Sequence, residues 1–379
     1  MTVEWESWRD EFPILARKTY LNSCSLGALS RRAEASIRQF HEEWHNYGAS
    51  AWYEIWMGRL AELRARVARM LNVGASQIAL GHSTSALLAS IASSLDFTKR
   101  NKVVIADLDF PTLAYQWLNR RDVEVVYVPS DDGATIDPQR FADAVDDRTA
   151  VLATSHVFYA TGTIQDLRAL SAIARAQGAL FLVDGYQSLG QIPVDLADET
   201  VDIFVGGPLK WLLGGPGLCY LYARSDVIRS FMPEITGWFG AKDQFAFDIH
   251  RFSYQDDARR FELGTPALPT VHAALGGQAI IDEVTLPRIR ERNQELAELT
   301  IDIAQNEGFQ LRMAPTASQR SAIVMVAIND PAGAVHHLAE RDIIIDYRPG
   351  YVRISPHFYN LKAELELVMS ELKQWRERA

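Results

Sequence analysis

Between residues 77 and 223 the chain alternates short apolar runs with segments of helical periodicity, and that alternation restricts the architectures open to it. The runs are QIAL (77–80), KVVIA (102–106), VEVVYV (123–128), TAVLATSHV (149–157), ALFLVD (179–184), VDIFVG (201–206) and LCYLYA (218–223). Helical patterns at 85–95, 112–119, 138–145 and 167–177 lie between many of them. A strand that is apolar nearly throughout must be covered on both faces, and helices between successive strands provide both the cover and the crossover. The pattern predicts an α/β fold with a mostly parallel sheet flanked by helices.

Outside this region the periodicity changes. Residues 32 to about 71 read as a long helix broken near Tyr47-Gly48. A segment rich in aromatics and charge, 238–263, leads into a helix-like stretch from 272 to about 306, with a kink or break at Pro287. Strand-like QRSAIVMVAI, a helix over 332–340, strands III and YVRIS, and a terminal helix over 360–377 follow. The expected division is an N-terminal segment, 1–24, packing on a small domain; a large domain, 25–255; and a linker helix with a smaller α+β domain, 256–379. A chain of 379 residues can bury a core in each of two domains.

Charge and composition narrow the partners. The net charge of −10 lacks the basic footprint of a nucleic-acid binder. No apolar run approaches the roughly 18–20 residues of a membrane span. The acidic opening MTVEWESWRDEF has no signal-peptide core, which predicts a cytoplasmic location. Two cysteines, Cys24 and Cys219, are too few for a disulfide framework or a cysteine-rich zinc site.

In open α/β sheets ligands bind beyond the carboxyl ends of the strands. Four polar segments follow predicted strands: Gly81-His82-Ser83-Thr84-Ser85, the stretch from Asp107 to Thr112, the stretch from Asp184 to Ser188, and Lys210 before WLLGGPG. Of the seven lysines, six lie in polar or terminal stretches, while Lys210 is set in apolar, glycine-rich sequence. An ammonium there would be desolvated and its pKa lowered, as an imine-forming lysine requires; a lysine whose stem packs while its head reaches water would read the same way. Ser83 and Thr84 open a helix, either as a plain N-cap or as a phosphate cradle. Asp184 either caps a turn or pairs with a buried cation, and Phe110 is either core or a surface on which a ring stacks. Together these are the parts that pyridoxal phosphate requires.

The motifs TSHVFYATGTIQDL (154–167), FLVDGYQSLGQIPVD (181–195) and GGPLKWLLGGPG (206–217) resemble those of the class V aminotransferase family, fold-type I pyridoxal-phosphate enzymes, over nearly the whole chain. YLNSCSLGALS (20–30), DFPT (109–112), GWFG (237–240) and YVRISPHFYN (351–360) are similar to kynureninase motifs, and Gln187 is similar to the isopenicillin-epimerase and desulfurase branches. The resemblance implies that Lys210 carries the cofactor and moves the Cα proton, Asp184 meets the pyridine nitrogen, Gln187 lies by the phenolic oxygen and Phe110 stacks on the ring. It implies that Ser83 and Thr84 hold the phosphate with Trp238 and Thr265 of the partner subunit in a homodimer, and that Arg353 clamps the substrate carboxylate. The implied activity is on an amino acid through a Cα carbanion, by Cβ cleavage or C–S lyase-type elimination; aminotransfer and epimerisation are the alternatives. Kynureninases carry tyrosine where Leu209 stands, histidine at Gln187 and Ser-Asn at Gly264-Thr265, and the histidine expected near Tyr47-Gly48 falls at Ala49; these departures predict that kynurenine is not hydrolysed.

Two features suggest other chemistry. His41-Glu42-Glu43-Trp44-His45 matches the H-E-x-x-H pattern of zinc hydrolases, although the third histidine of the extended pattern falls at Ala51. Cys24, in NSCSLG, is a candidate sulfur nucleophile or an inert buried thiol.

Overall fold

The computed structural model describes residues 4–378. Seven strands form the main sheet: β1 (Ile78–Gly81), β2 (Lys102–Ala106), β3 (Glu124–Val128), β4 (Thr149–Ser155), β5 (Leu180–Asp184), β6 (Ile203–Gly206) and β7 (Cys219–Ala223). Their spatial order is β1-β7-β6-β5-β4-β2-β3. Every neighbouring pair is parallel except those made by β7, which runs antiparallel to β1 and β6. The reversal has a local cause. A parallel return needs a crossover element, and the glycine- and proline-rich residues 207–218 form turns instead.

The faces of the sheet separate with a period of two, as a pleated strand requires. Val103, Ile105, Val151, Ala153 and Leu182 share one core with Leu88 and Trp117. Val104, Leu152, Phe181, Val183 and Phe204 join Leu63, Leu170 and Ile280 in the other. The run VEVVYV becomes the half-exposed edge strand β3, so it is less buried than its apolar sequence suggests.

The expected helix over 272–306 is two helices, Leu268–Val284 and Leu286–Asn306, broken at Thr285, whose φ of 74° lies in the left-handed region. Pro287 sits in the first turn of the second helix, where its missing N–H is no loss. The first of these helices carries the helix Arg31–Tyr47 against it. Glu43, buried between them, accepts hydrogen bonds from Trp56 Nε1 at 3.0 Å and Arg59 Nη2 at 3.2 Å, and its other contact is His272 Nε2 at 2.9 Å. His41 and His45 face solvent on the same helix. Among the described residues no group of three or more His, Cys, Asp or Glu gathers as metal ligands, and within the H-E-x-x-H match Glu43 turns inward to pack while Glu42 and both histidines stay at the surface.

A second, antiparallel sheet has the order Asp346–Arg348, Tyr351–Ile354, Val324–Ala327, Leu311–Arg312. QRSAIVMVAI contributes only its last part to this sheet. The sheet packs with helices Leu286–Asn306, Pro331–Ala339 and Lys362–Arg378. Near the N-terminus, Trp5, Trp8 and Phe12 surround Phe358, and Thr19–Tyr20 pairs in parallel with Ile343–Ile344. Among the described residues no helix is long and apolar enough to cross a membrane.

Candidate active site

The carboxyl ends of the parallel strands converge on a cavity of about 370 Å³. Ser83 and Thr84 enter it after β1, Phe110 after β2, Asp184 at the end of β5 and Lys210 in the turn after β6. Gly27 holds that turn from behind: its N–H donates to Leu209 O at 2.9 Å, and a Cβ on it would lie 2.1 Å from Lys210 O.

Lys210 points its ammonium over the Tyr186 ring, 4.9 Å from the centroid. Burial lowers its pKa from 10.5 to about 8; Cys24 and Asp184 act in the opposite direction, and Arg353 and Arg348 reinforce the fall. Lys102 is also buried, although its sequence neighbours include Arg100 and Asn101. Its ammonium meets Asp146 and the Ala144 carbonyl, both at 2.7 Å. Burial alone therefore does not single out Lys210. Its distinction is that desolvation is not offset by a carboxylate in hydrogen-bond contact.

Asp184 is 6% exposed, and its Oδ1 accepts from Tyr186 N–H at 2.8 Å. Burial raises its pKa against the pull of that N–H and of Lys210. Among the described residues no donor reaches Oδ2. A buried carboxylate with one oxygen left over suits a cationic ring N–H, which would restore the hydrogen bond lost on burial. Ser83 Oγ accepts from Ala86 N–H at 3.2 Å, so it is the N-cap of Thr84–Ser93, while the first backbone N–H groups of that helix offer an anion cradle at the cavity wall. Phe110 is 43% exposed and packs perpendicular to Tyr159, the ring centroids 5.2 Å apart. These residues fit pyridoxal phosphate: the helix terminus would take its phosphate, Phe110 its ring and Asp184 its ring nitrogen.

Gln187 also lines the cavity, but its amide is anchored: Nε2 donates to Cys24 O at 3.0 Å and Oε1 accepts from Trp211 Nε1 at 2.9 Å. Arg353 stands behind the cavity, 1% exposed. Its Nε and Nη2 bond Asp346 at 2.8 and 2.5 Å, Nη2 also donates to Ser25 Oγ at 2.7 Å, and Nη1 donates to Tyr159 O at 2.8 Å. Trp238 and Thr265 do not line the cavity of their own chain. Trp238 Nε1 donates to Gln244 O at 2.6 Å within an aromatic group with Phe245 and Phe247, and Thr265 O lies 2.8 Å from His82 Nε2 at the rim.

Four side chains at the site went unassigned in the sequence: Tyr186 beneath Lys210, Tyr159 beside Phe110, and the pair Asp346 and Arg348 facing Arg353. The tyrosines stand in motifs already singled out. Asp346 and Arg348 do not, because the pairing of Asp346 with Arg353 depends on a hairpin register that periodicity does not supply, and Arg348 joins the group through Asp346. Cys24 is fully buried, its thiol 3.9 Å from Asn22 Oδ1.

The family model for class V aminotransferases matches residues 23–367. The chain is 31% identical over 369 residues to the uncharacterized aminotransferase YcbU of Bacillus subtilis, covering 97% of each. It is 33% identical to the kynureninase of Deinococcus radiodurans, over 77% of this chain and 72% of that protein. Among solved structures, the apo cysteine desulfurase of Thermococcus onnurineus superposes with a TM-score of 0.90 at 19% identity, covering 100% of this chain and 99% of that one, a likeness of fold. These matches agree with the fold, the enzyme class and the cofactor implied by the sequence motifs. The chain belongs to the class V aminotransferase family.

Proposed function

We propose that the protein uses pyridoxal phosphate to remove the Cα proton of a free amino acid and then cleaves or eliminates at Cβ, in the manner of a C–S lyase. The observation that carries the cofactor and the Cα step is the meeting of Lys210, Asp184, Phe110 and the Thr84–Ser93 helix terminus at one cavity, and the Cβ step is argued from the likeness to kynureninase. When bound, the cofactor supplies an electron sink for the charge left at Cα. Asp184, as an anion, would hold the ring nitrogen protonated and keep that sink strong. Lys210, with a pKa near 8, can hold or release a proton close to neutral pH, where a general base works best. Phe110 would hold the ring by stacking, and the helix terminus would hold the phosphate. Leu209 brings no proton to the side of the lysine where kynureninases place a phenol.

Aminotransfer is the second reading, favoured by the 31% identity to a protein named an aminotransferase. The two separate in one experiment. Borohydride reduction and peptide mapping of the loaded protein should place the cofactor on Lys210; label on another lysine overturns the assignment. A screen of amino acids should then release ammonia with a side-chain fragment, whereas keto acid formed only with an added acceptor keto acid would establish aminotransfer. Kynurenine in the same screen should give negligible anthranilate.

We infer in addition a homodimer in which Trp238 and Thr265 reach the partner's phosphate site. The supporting observation is a cluster of exposed apolar side chains, Trp238, Phe245, Phe247, Ile249 and Phe252, on the segment that follows β7. Such a patch on a free monomer is costly. Light scattering should find a dimer, and an active, cofactor-loaded monomer would contradict the assignment.

A further inference from the structure

Two guanidinium groups and one carboxylate stand together behind Tyr159 of the cavity wall, and their balance bears on which amino acids fit. Asp346 sits directly opposite Arg353 on the hairpin formed by Asp346–Arg348 and Tyr351–Ile354. It takes the side-on fork of Arg353, a hydrogen bond from Ser25 Oγ at 2.6 Å and a longer one from Arg348 Nη1 at 3.3 Å. Burial works against its ionisation, but Arg353, Ser25 and Arg348 outweigh it and hold the carboxyl below its ordinary range, so Asp346 is an anion at neutral pH.

Arg348 is less tied. It lies over the Tyr159 ring, 5.6 Å from the centroid, and that ring lines the cavity. Its remaining hydrogen bond runs to the neighbouring Tyr347 carbonyl. Both guanidinium charges are felt at Lys210. Four hydrogen bonds leave Arg353 one free Nη1 hydrogen. The group of three thus carries one net positive charge and keeps donors on both arginines.

We propose that Asp346 is a specificity-determining residue: by cancelling one of the two guanidinium charges it restricts the site to amino acids with a single carboxylate. The α-carboxylate neutralises the cluster. A second carboxylate on the side chain would bring an unmatched negative charge beside Asp346, with Arg353 already engaged. At the few-ångström separations involved, a missing counter-charge in a partly buried site shifts affinity by roughly tenfold or more. The inference rests on the amino-acid substrate proposed above.

The test uses the cofactor-loaded protein and two non-reacting probes of equal carbon number, butyrate and succinate, titrated calorimetrically at pH 7.5. The wild type should bind butyrate at least about tenfold more tightly than succinate. Asp346→Asn raises the net charge of the cluster by one, and should narrow that preference by roughly tenfold or reverse it. Succinate bound as tightly as butyrate by the wild type, or an unchanged ratio in Asp346→Asn, overturns the proposal. Should Asp346→Asn not fold, Arg348→Gln carries the test: butyrate affinity should fall roughly tenfold, and an unchanged affinity is contrary. The Lys210 mapping is the control. Failure to load the cofactor on Lys210 defeats the function, while normal loading with the wrong binding ratio defeats the specificity argument alone.

Discussion

Asp184→Ala is expected to lower turnover by roughly 10²–10⁴-fold while leaving the fold intact, a range set by what single electrostatic or proton-handling groups contribute. The argument starts from how the carboxylate is held. Its Oδ1 is tied to Tyr186 N–H at 2.8 Å, which fixes the direction of the other oxygen. Burial raises its pKa, so an anion here is costly until a cation meets it. A protonated ring nitrogen would be such a cation, and Asp184 would in turn keep that nitrogen protonated. Alanine removes the counter-charge, leaving a neutral ring that draws electrons from Cα poorly. Cofactor content should fall much less than turnover, because the helix terminus, Phe110 and Lys210 remain. Steady-state kinetics on protein of measured cofactor content checks this, and full activity in Asp184→Ala would remove Asp184 from the reaction.

How far the sequence alone reaches is clearest at particular residues. The sheet was legible because its strands are apolar on both faces, a composition that few other structures tolerate. The antiparallel course of β7 was not assigned, although the missing helix between 206 and 219 contains the signal. Lys210 and Asp184 were legible because a charge at the end of an apolar run is expensive without a role. Lys102 limits that logic: its flank Lys99-Arg100-Asn101 reads as a polar stretch, yet its ammonium is buried, where Asp146 meets it at 2.7 Å. Long-range partners of this kind leave no local pattern. Arg353 was visible in YVRIS, but Asp346 opposite it was not, since a cross-strand pair depends on register. Trp238 and Thr265 lie outside the cavity of their own chain, so their place in the site rests on the homodimer proposed above. The break at Thr285 shows a finer limit: Pro287 marked the interruption, but as a first-turn proline it starts the second helix instead of kinking a single one.

Replacing the lysine should separate activity from stability. Lys210→Met is expected to reduce turnover by at least about 10³-fold, within the range for loss of a positioned general base, since the thioether can neither hold the cofactor nor carry a proton. The same variant, free of cofactor, should melt at a higher temperature than the cofactor-free wild type at pH 7. Folding lowers the Lys210 pKa from 10.5 to about 8, so the folded state binds this proton less well than the unfolded chain. The sign follows: the penalty is full below the folded value, fades as pH rises from about 8, and is gone above 10.5. Converted directly, that shift corresponds to about 3 kcal/mol, an upper bound because the side chain keeps some contact with water. Methionine has a similar volume and shape with no charge to desolvate, so it fills the space without that penalty. The difference in Tm should be a few degrees at pH 7 and should shrink steadily toward pH 10. If Lys210→Met melts no higher than the wild type at pH 7, the ammonium is not strained by its surroundings, and the basis for a lysine poised near neutral pH is lost. If it melts higher and turns over nothing, the cavity is a site where stability is given up to keep a reactive amine.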